Sequence, residues 1–221
     1  MTSRSSGLTV PDLSQTVSID GEIEREINDL LAWLPNVDQL SADERRGIIA
    51  RYTAVLEGNF IYWMTGAYLA VASEQARVII VDNLLEEVRD CHPGMMRRFA
   101  IAANAIPTDS DAQAVYRNLM AVRLFVGRLS AVRLVLMMTF FEGFLQRFMT
   151  YLADLAERQG SQEREYTDVH GVCDIAHTEG LFRAFQAELA LTRDPSDTAN
   201  LFEGVELLRT LIQNIVVAQA A

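Results

Sequence analysis

From Leu134 to Leu155 the chain runs through Val135, Leu136, Met137, Met138, Phe140, Phe141, Phe144 and Phe148, interrupted by Glu142, Gln146, Arg147 and Asp154. So apolar a stretch must be hidden from water, either in a membrane or in a protein core. A spanning helix needs about 20 mostly apolar residues with few or no charges. The three ionisable residues and the amide therefore favour a helix buried in a soluble core. Half of the 221 residues are hydrophobic, yet only 12 are Gly and 5 are Pro. That scarcity of turn-formers suits long helices with short connections. No segment alternates with period two for long enough to make a sheet, so the sequence predicts an all-α protein.

Residues 1–18, rich in Ser and Thr, read as a mobile tail, and 19–221 as a single helical domain without an internal linker. Ile19, Ile23, Ile27, Leu30, Leu31 and Leu34 recur at helical spacing until Pro35-Asn36. A second helix opens at Ser41 with Glu44 completing a capping box, and it should break near Gly58 or Gly66. Ser73 caps a third, ending near Asp90, and Pro93 suits the first turn of a short fourth. Asp109 and Ser110 offer caps for a helix to about Gly127, and the apolar helix follows to about Glu157. Thr167 or Asp168 should cap the next. Ser196 opens the last, whose stripe of Leu201, Val205, Leu208, Leu211, Ile212 and Ile215 could pack on the core or form a dimer surface.

The formal net charge is −11, and the basic residues are scattered. Phosphate binding needs clustered Lys and Arg, so nucleic acid is not expected as a partner, nor is a membrane. Two cysteines, Cys91 and Cys173, make no disulfide framework and suit a reducing cytoplasm, and no signal segment opens the sequence.

The chain has three histidines. Two lie in His170-Gly-Val-Cys-Asp174-Ile-Ala-His177, where positions i, i+4 and i+7 fall within roughly 60° of one another on a helix. All three side chains then leave through one face, as metal ligands would. Glu142 sits inside the apolar helix with nothing local to neutralise it, and an unpaired buried carboxylate is costly. Glu86 and Glu87 shortly precede His92. Taken alone, His92 before Pro93 reads as a cap or surface residue, and His170 with His177 as a solvated face. Together, Glu87, His92, Glu142, His170, Asp174 and His177 give three carboxylates and three imidazoles. Such a mixed set suits iron or manganese, and it is large enough for two divalent ions. Ferritin-like bundles need Glu-x-x-His twice, whereas here a carboxylate–His pair at i, i+3 occurs once, so that fold is disfavoured. Neighbours on a helix point about 100° apart, and Cys91 and Cys173 read as core residues.

His-x3-Asp-x2-His on a late helix, Glu142 in an apolar helix before it, and a Glu shortly before His92 after Asp82-Asn-Leu-Leu-Glu-Glu87 resemble the haem-oxygenase-like dimetal oxidases. That superfamily includes the CADD-like proteins and the UndA-type fatty-acid decarboxylases, and the resemblance covers about residues 41 to 190. It implies a bundle of about seven helices, two Fe(II) ions held by Glu87 (or Glu86), His92, Glu142, His170, Asp174 and His177, and O2 as co-substrate. It implies oxidation of a small amino acid or carboxylate in natural-product biosynthesis, by a homodimer. Periodicity about Glu142 offers Met138, Thr139, Leu145 and Gln146 as the pocket lining, and Arg123 or Arg133 as a carboxylate anchor. Two other readings remain: a TenA-like hydrolase with Cys173 as nucleophile, and a helical scaffold with structural metal. Haem oxygenase itself fits poorly, because no histidine precedes His92.

Overall fold

The structure, a computed structural model, describes residues 13–193 and 198–218, with side chains from residue 19 onward. Among the described residues there is no strand. In order come α1 (Leu13–Trp33), a 3-10 turn (Val37–Gln39), α2 (Ala42–Leu56), α3 (Asn59–Ala70), α4 (Glu74–Arg89), α5 (His92–Ala102), α6 (Asp109–Val126), α7 (Ala131–Arg158), α8 (Glu165–Leu191) and α9 (Glu203–Val216). Helix α1 takes in residues 13–18, which the sequence assigned to the tail. The rest of that tail and the proposed cap Ser196 lie outside the described residues.

Helix α7 is the spine, packing against α8 along its length and against α1, α2, α3 and α9. Phe140, Phe144 and Phe148 stack in a row with ring centroids 6.4 and 5.0 Å apart, while Phe141 meets the edge of Trp63 at 5.4 Å. Burying each such ring contributes roughly 1.5–3 kcal/mol. Burial on all sides is what gives this segment the hydropathy of a membrane span. Among the described residues no helix is long and apolar enough to cross a membrane.

The caps show how local chemistry sets the helix starts. At α2, Ser41 Oγ accepts from Glu44 N at 3.2 Å and Glu44 Oε2 accepts from Ser41 N at 2.7 Å, the expected reciprocal box. The break before α3 falls at Gly58, whose φ of 81° lies in the left-handed region that glycine adopts freely. Gly66 is not a break; it sits within α3, where a Cβ would meet Val126 Cγ1 of α6 at 2.5 Å. Helix α6 is capped by Thr108 rather than Asp109 or Ser110, because Asp111 completes a box with it. Helix α8 starts earlier than Thr167 or Asp168, after Arg164, with no side-chain cap.

Val205, Leu208, Leu211, Ile212 and Ile215 of α9 are buried against α6, α7 and α2, so this stripe serves the core and not a dimer surface. Buried Arg51 of α2 donates from Nε to the Ile215 carbonyl at 2.7 Å and from Nη2 to that of Val216 at 3.2 Å, satisfying the end of α9. Helices α4 and α8 run antiparallel: Ser73 N donates to Glu188 Oε1 at 2.6 Å at one end, and Glu86 meets His177 at the other. The short connection 159–164 turns α8 back along α7. The result is that α4, the start of α5, the middle of α7 and the first half of α8 converge.

Candidate metal centre

At that convergence the six predicted ligands come together, none more than 5% exposed. His170, Asp174 and His177 leave α8 through one face, Glu142 comes from α7, Glu87 from α4, and His92 opens α5. The cluster has two halves. Ligand atoms of Glu87, His92 and His170 lie within 4.8 Å of one another, and so do those of Cys173, Asp174 and His177. Glu142 reaches the second half, with Oε1 3.8 Å from His177 Nδ1, and it shares the cavity lined by the first.

In the first half, a backbone reversal explains how so short a spacing can pair Glu87 with His92. Helix α4 ends at Arg89, and Cys91 takes the left-handed conformation with φ of 59°, uncommon for a residue with a Cβ. The chain thereby turns back, and His92 Nδ1 hydrogen-bonds Glu87 Oε1 at 2.7 Å. His170 Nδ1 donates to the Tyr166 carbonyl at 2.8 Å, one helical turn earlier, which leaves Nε2 as the ring's open lone pair. That Nε2 lies 3.9 Å from Glu87 Oε1. The Tyr166 ring packs on that of His170 with centroids 4.3 Å apart and planes tilted by 44°, and its hydroxyl is held at 2.7 Å by that of Tyr52 from α2.

In the second half, Glu86 resolves the question of which glutamate faces the site. His177 Nε2 hydrogen-bonds Glu86 Oε2 at 2.8 Å, so both glutamates reach the cluster, Glu87 from within and Glu86, 42% exposed, from its edge. The pairing turns His177 Nδ1 inward, 3.7 Å from Asp174 Oδ1. A carboxylate on the outer nitrogen of a ligating imidazole is the usual way its ring is oriented and its basicity raised.

Three buried atoms here have no hydrogen-bond partner: Glu142 Oε1, Asp174 Oδ2 and His177 Nδ1. Each would offer a lone pair, and an unsatisfied buried acceptor costs about 1–3 kcal/mol. Burial, then the charges of Asp174 and Glu87, pushes the Glu142 carboxyl well above the usual carboxylate range. Burial is also the main cause that raises Asp174 to about 8 and lowers His170 to about 4. Burial opposes the His92 imidazolium, but the hydrogen bond and charge of Glu87 outweigh it and leave His92 raised. A divalent cation inverts this arrangement, since it favours the ionised carboxylates and needs neutral imidazoles. The donor set, carboxylate oxygens together with imidazole nitrogens, fits iron.

The cavity beside the centre extends from Glu142 toward the α2–α3 corner, between the metal face and apolar walls from Leu56, Phe60, Ile61, Met96 and Leu145. Of the four residues expected to line it, only Leu145 does. Met138 and Thr139 lie one turn the other way, packed in the core, with Thr139 Oγ1 donating to the Val135 carbonyl at 2.8 Å. Gln146 lies on an outer groove with Arg147 and Thr150. Neither arginine serves as an anchor: Arg123 sits over the Tyr62 ring at 4.8 Å, and Arg133 pairs with Glu203 at 3.6 Å. Sequence reasoning missed Tyr166 and Tyr52. For Tyr166 the usable signal was its place four residues before His170, which makes its carbonyl the natural acceptor for that ring.

No curated protein and no solved structure matches the chain. Residues 49–211 match the family described as iron-containing redox enzyme. The match takes in every residue of the buried Glu/His cluster and well over half of the chain. By that match the chain belongs to the iron-containing redox enzymes of the haem-oxygenase-like superfamily, and it is a metal-dependent oxidoreductase.

Proposed function

We propose that the chain is an O2-dependent non-haem diiron oxidase or oxygenase acting on a small substrate with an apolar body. One observation carries this reading: the buried ligands fall into two halves about Glu142, and the inward atoms of Glu142, Asp174 and His177 have no partner within the protein. Six donors would fill every position of one octahedral ion and leave none for O2, whereas a pair sharing a carboxylate accommodates two separate groups of donors with positions to spare.

When bound, the two ferrous ions supply the electrons and open coordination positions that O2 chemistry requires. The chain's own residues do the rest. Glu87, His92 and His170 hold one position and Asp174 with His177 the other, with Glu142 between. Leu56, Phe60, Ile61, Met96 and Leu145 exclude water and pack the substrate's hydrocarbon part. Among the described residues no guanidinium lines this cavity. We therefore read the substrate as an aliphatic amino acid or related carboxylate whose charged end is held at the metal face, oxidised by desaturation, C–C cleavage, C–N ring closure or N-oxygenation, as suits natural-product biosynthesis. The hydrolase alternative requires a thiolate at Cys173, but burial, then Asp174, pushes that thiol up and works against a free nucleophile.

The test is to load apoprotein anaerobically with Fe(II), count iron per chain, then admit O2 and follow visible absorption and O2 uptake with a panel of aliphatic amino acids and carboxylates. About two irons per chain with a transient absorption on oxygenation is the expected result. Fewer than about one iron, or no absorbance change and no uptake, sinks the reading.

A further inference from the structure

Helix α8 presents a fourth side chain to the second half of the centre. Positions 170, 173, 174 and 177 span an arc of about 100° on a helix, so Cys173 shares the face of the predicted ligands rather than turning away from it. Cys173 is half-buried, and its Sγ donates to Asp174 Oδ1 at 3.3 Å. Its sulfur, an Asp174 oxygen and a His177 nitrogen lie within 4.8 Å of one another. The two partners point to a cation independently of the thiol. Asp174 is fully buried with Oδ2 unpartnered, and His177, 5% exposed, has Nδ1 unpartnered.

From this geometry we infer that Cys173 is a thiolate ligand, so that the second metal position is a sulfur, oxygen and nitrogen site unlike the first. The inference rests on the metal-centre reading above and deepens it.

Charge supports it. Within the cluster, Glu87, Glu142 and Asp174 are the carboxylates at most 5% exposed, and when ionised they carry three negative charges against the four of two divalent ions. A thiolate brings the buried set to neutrality where water is too scarce to screen an excess. Glu86, 42% exposed, is screened by solvent and serves His177 from outside. On binding, the S–H bond breaks, sulfur keeps the electron pair and donates it to the metal, and the proton leaves to solvent; no electron is transferred. A soft sulfur donor favours iron, cobalt or zinc over manganese at this position only. The two ions are then inequivalent. Cys91 is exposed, on the far side of the reversal before His92, and takes no part.

The test is an anaerobic Co(II) titration of the full chain, its Cys173→Ser variant and its Cys173→Ala variant. Cobalt(II) bound to thiolate shows an intense near-ultraviolet charge-transfer band, separate from the weak visible bands of any bound cobalt. The wild type is expected to take up cobalt with both sets of bands. The Ser variant should keep its circular dichroism and visible bands, lose the near-ultraviolet band, and bind one ion at least as much weaker as the roughly 10- to 100-fold cost of losing an outer-shell partner. If the variants do not fold, the wild type decides alone. Cobalt should slow iodoacetamide alkylation of Cys173 at least tenfold, read by peptide mass spectrometry, with Cys91 as the unprotected control. Cobalt uptake with visible bands but no charge-transfer band, or with no protection of Cys173, overturns the thiolate and leaves the metal centre standing. No cobalt uptake overturns both.

Discussion

The two halves of the buried cluster are built from the same kinds of side chain but finished differently. In the Glu87–His92–His170 half, both imidazoles are held by hydrogen bonds to the protein, His92 by Glu87 and His170 by the Tyr166 carbonyl, with Tyr52 locking Tyr166 from a third helix. In the Glu142–Asp174–His177 half, each residue leaves an atom unpartnered in the interior. The first half is preorganised without an ion. The second holds unmet polar groups that a cation would satisfy, so metal binding and stability should be coupled most strongly there.

Glu142 touches both sides, and replacing it should have the largest effect. Glu142→Met removes the shared carboxylate, so iron content should fall from about two per chain to below one, with oxidase activity lost. The metal-free variant should nevertheless be no less stable than the metal-free parent, because a buried carboxyl crowded by Asp174 and Glu87 is gone. Iron analysis with thermal unfolding of both apoproteins reads this out. A less stable variant would mean that the hydrogen bond between the Glu142 and Asp174 carboxyls outweighs the cost of burying them.

Separating the halves comes next. His170→Ala should empty the first position and His177→Ala the second, each leaving about one iron per chain. If either loses both ions or neither, the division into halves is wrong.

Metal-free protein should also lose stability as pH rises from 6.5 to about 8. Asp174, raised to about 8 chiefly by burial, holds a proton that the unfolded chain has already released. The stability from that proton is complete below the ordinary carboxylate range and is lost through pH 8. His92, also raised, acts in the same direction. His170, lowered to about 4 by burial, contributes stability that is present above 6.5 and lost only as pH falls. It offsets the change in this window by only about 0.4 kcal/mol, as the unfolded imidazole finishes losing its proton. The loss should be on the order of 1–2 kcal/mol, and bound iron should abolish it. Denaturant melts at both pH values check this, and a flat or rising apoprotein profile contradicts it.

The smallest effect belongs to the outer support. Tyr52→Phe removes one hydroxyl pair, at about 1 kcal/mol. It should weaken the first ion by less than about tenfold and leave the second unchanged, measured by competition with a chelator.

Much of this was legible beforehand, for reasons that differ by residue. The all-helical fold followed from the α7 segment and the lack of turn-formers. Ser41, Ser73 and Gly58 announced helix boundaries because their chemistry acts within a few residues. Thr108 was overlooked because Asp111, not Glu, completes its box. Gly66 was misread because its purpose, close approach to Val126, is tertiary. The six residues of the cluster could be picked out because Glu142 is an ionisable side chain in an apolar stretch, Glu87 and His92 lie close in sequence, and His170, Asp174 and His177 share one helix face. Glu86 and Glu87 could not be separated from sequence, since only the approach of α8 from one side and His92 from the other gives each its partner. Cys173 read as a core residue from the angle to its neighbour Asp174, and it lies half-buried with Sγ 3.3 Å from Asp174 Oδ1. Pocket lining failed because periodicity marks the buried face of α7 but not which end of it borders a cavity.

The most direct test of a two-part centre is anomalous diffraction at the iron edge from anaerobically loaded crystals. The account predicts two iron peaks, one enclosed by Glu87, His92 and His170, the other by Asp174 and His177, with Glu142 between them. A single peak, or iron bound away from Glu142, would contradict it.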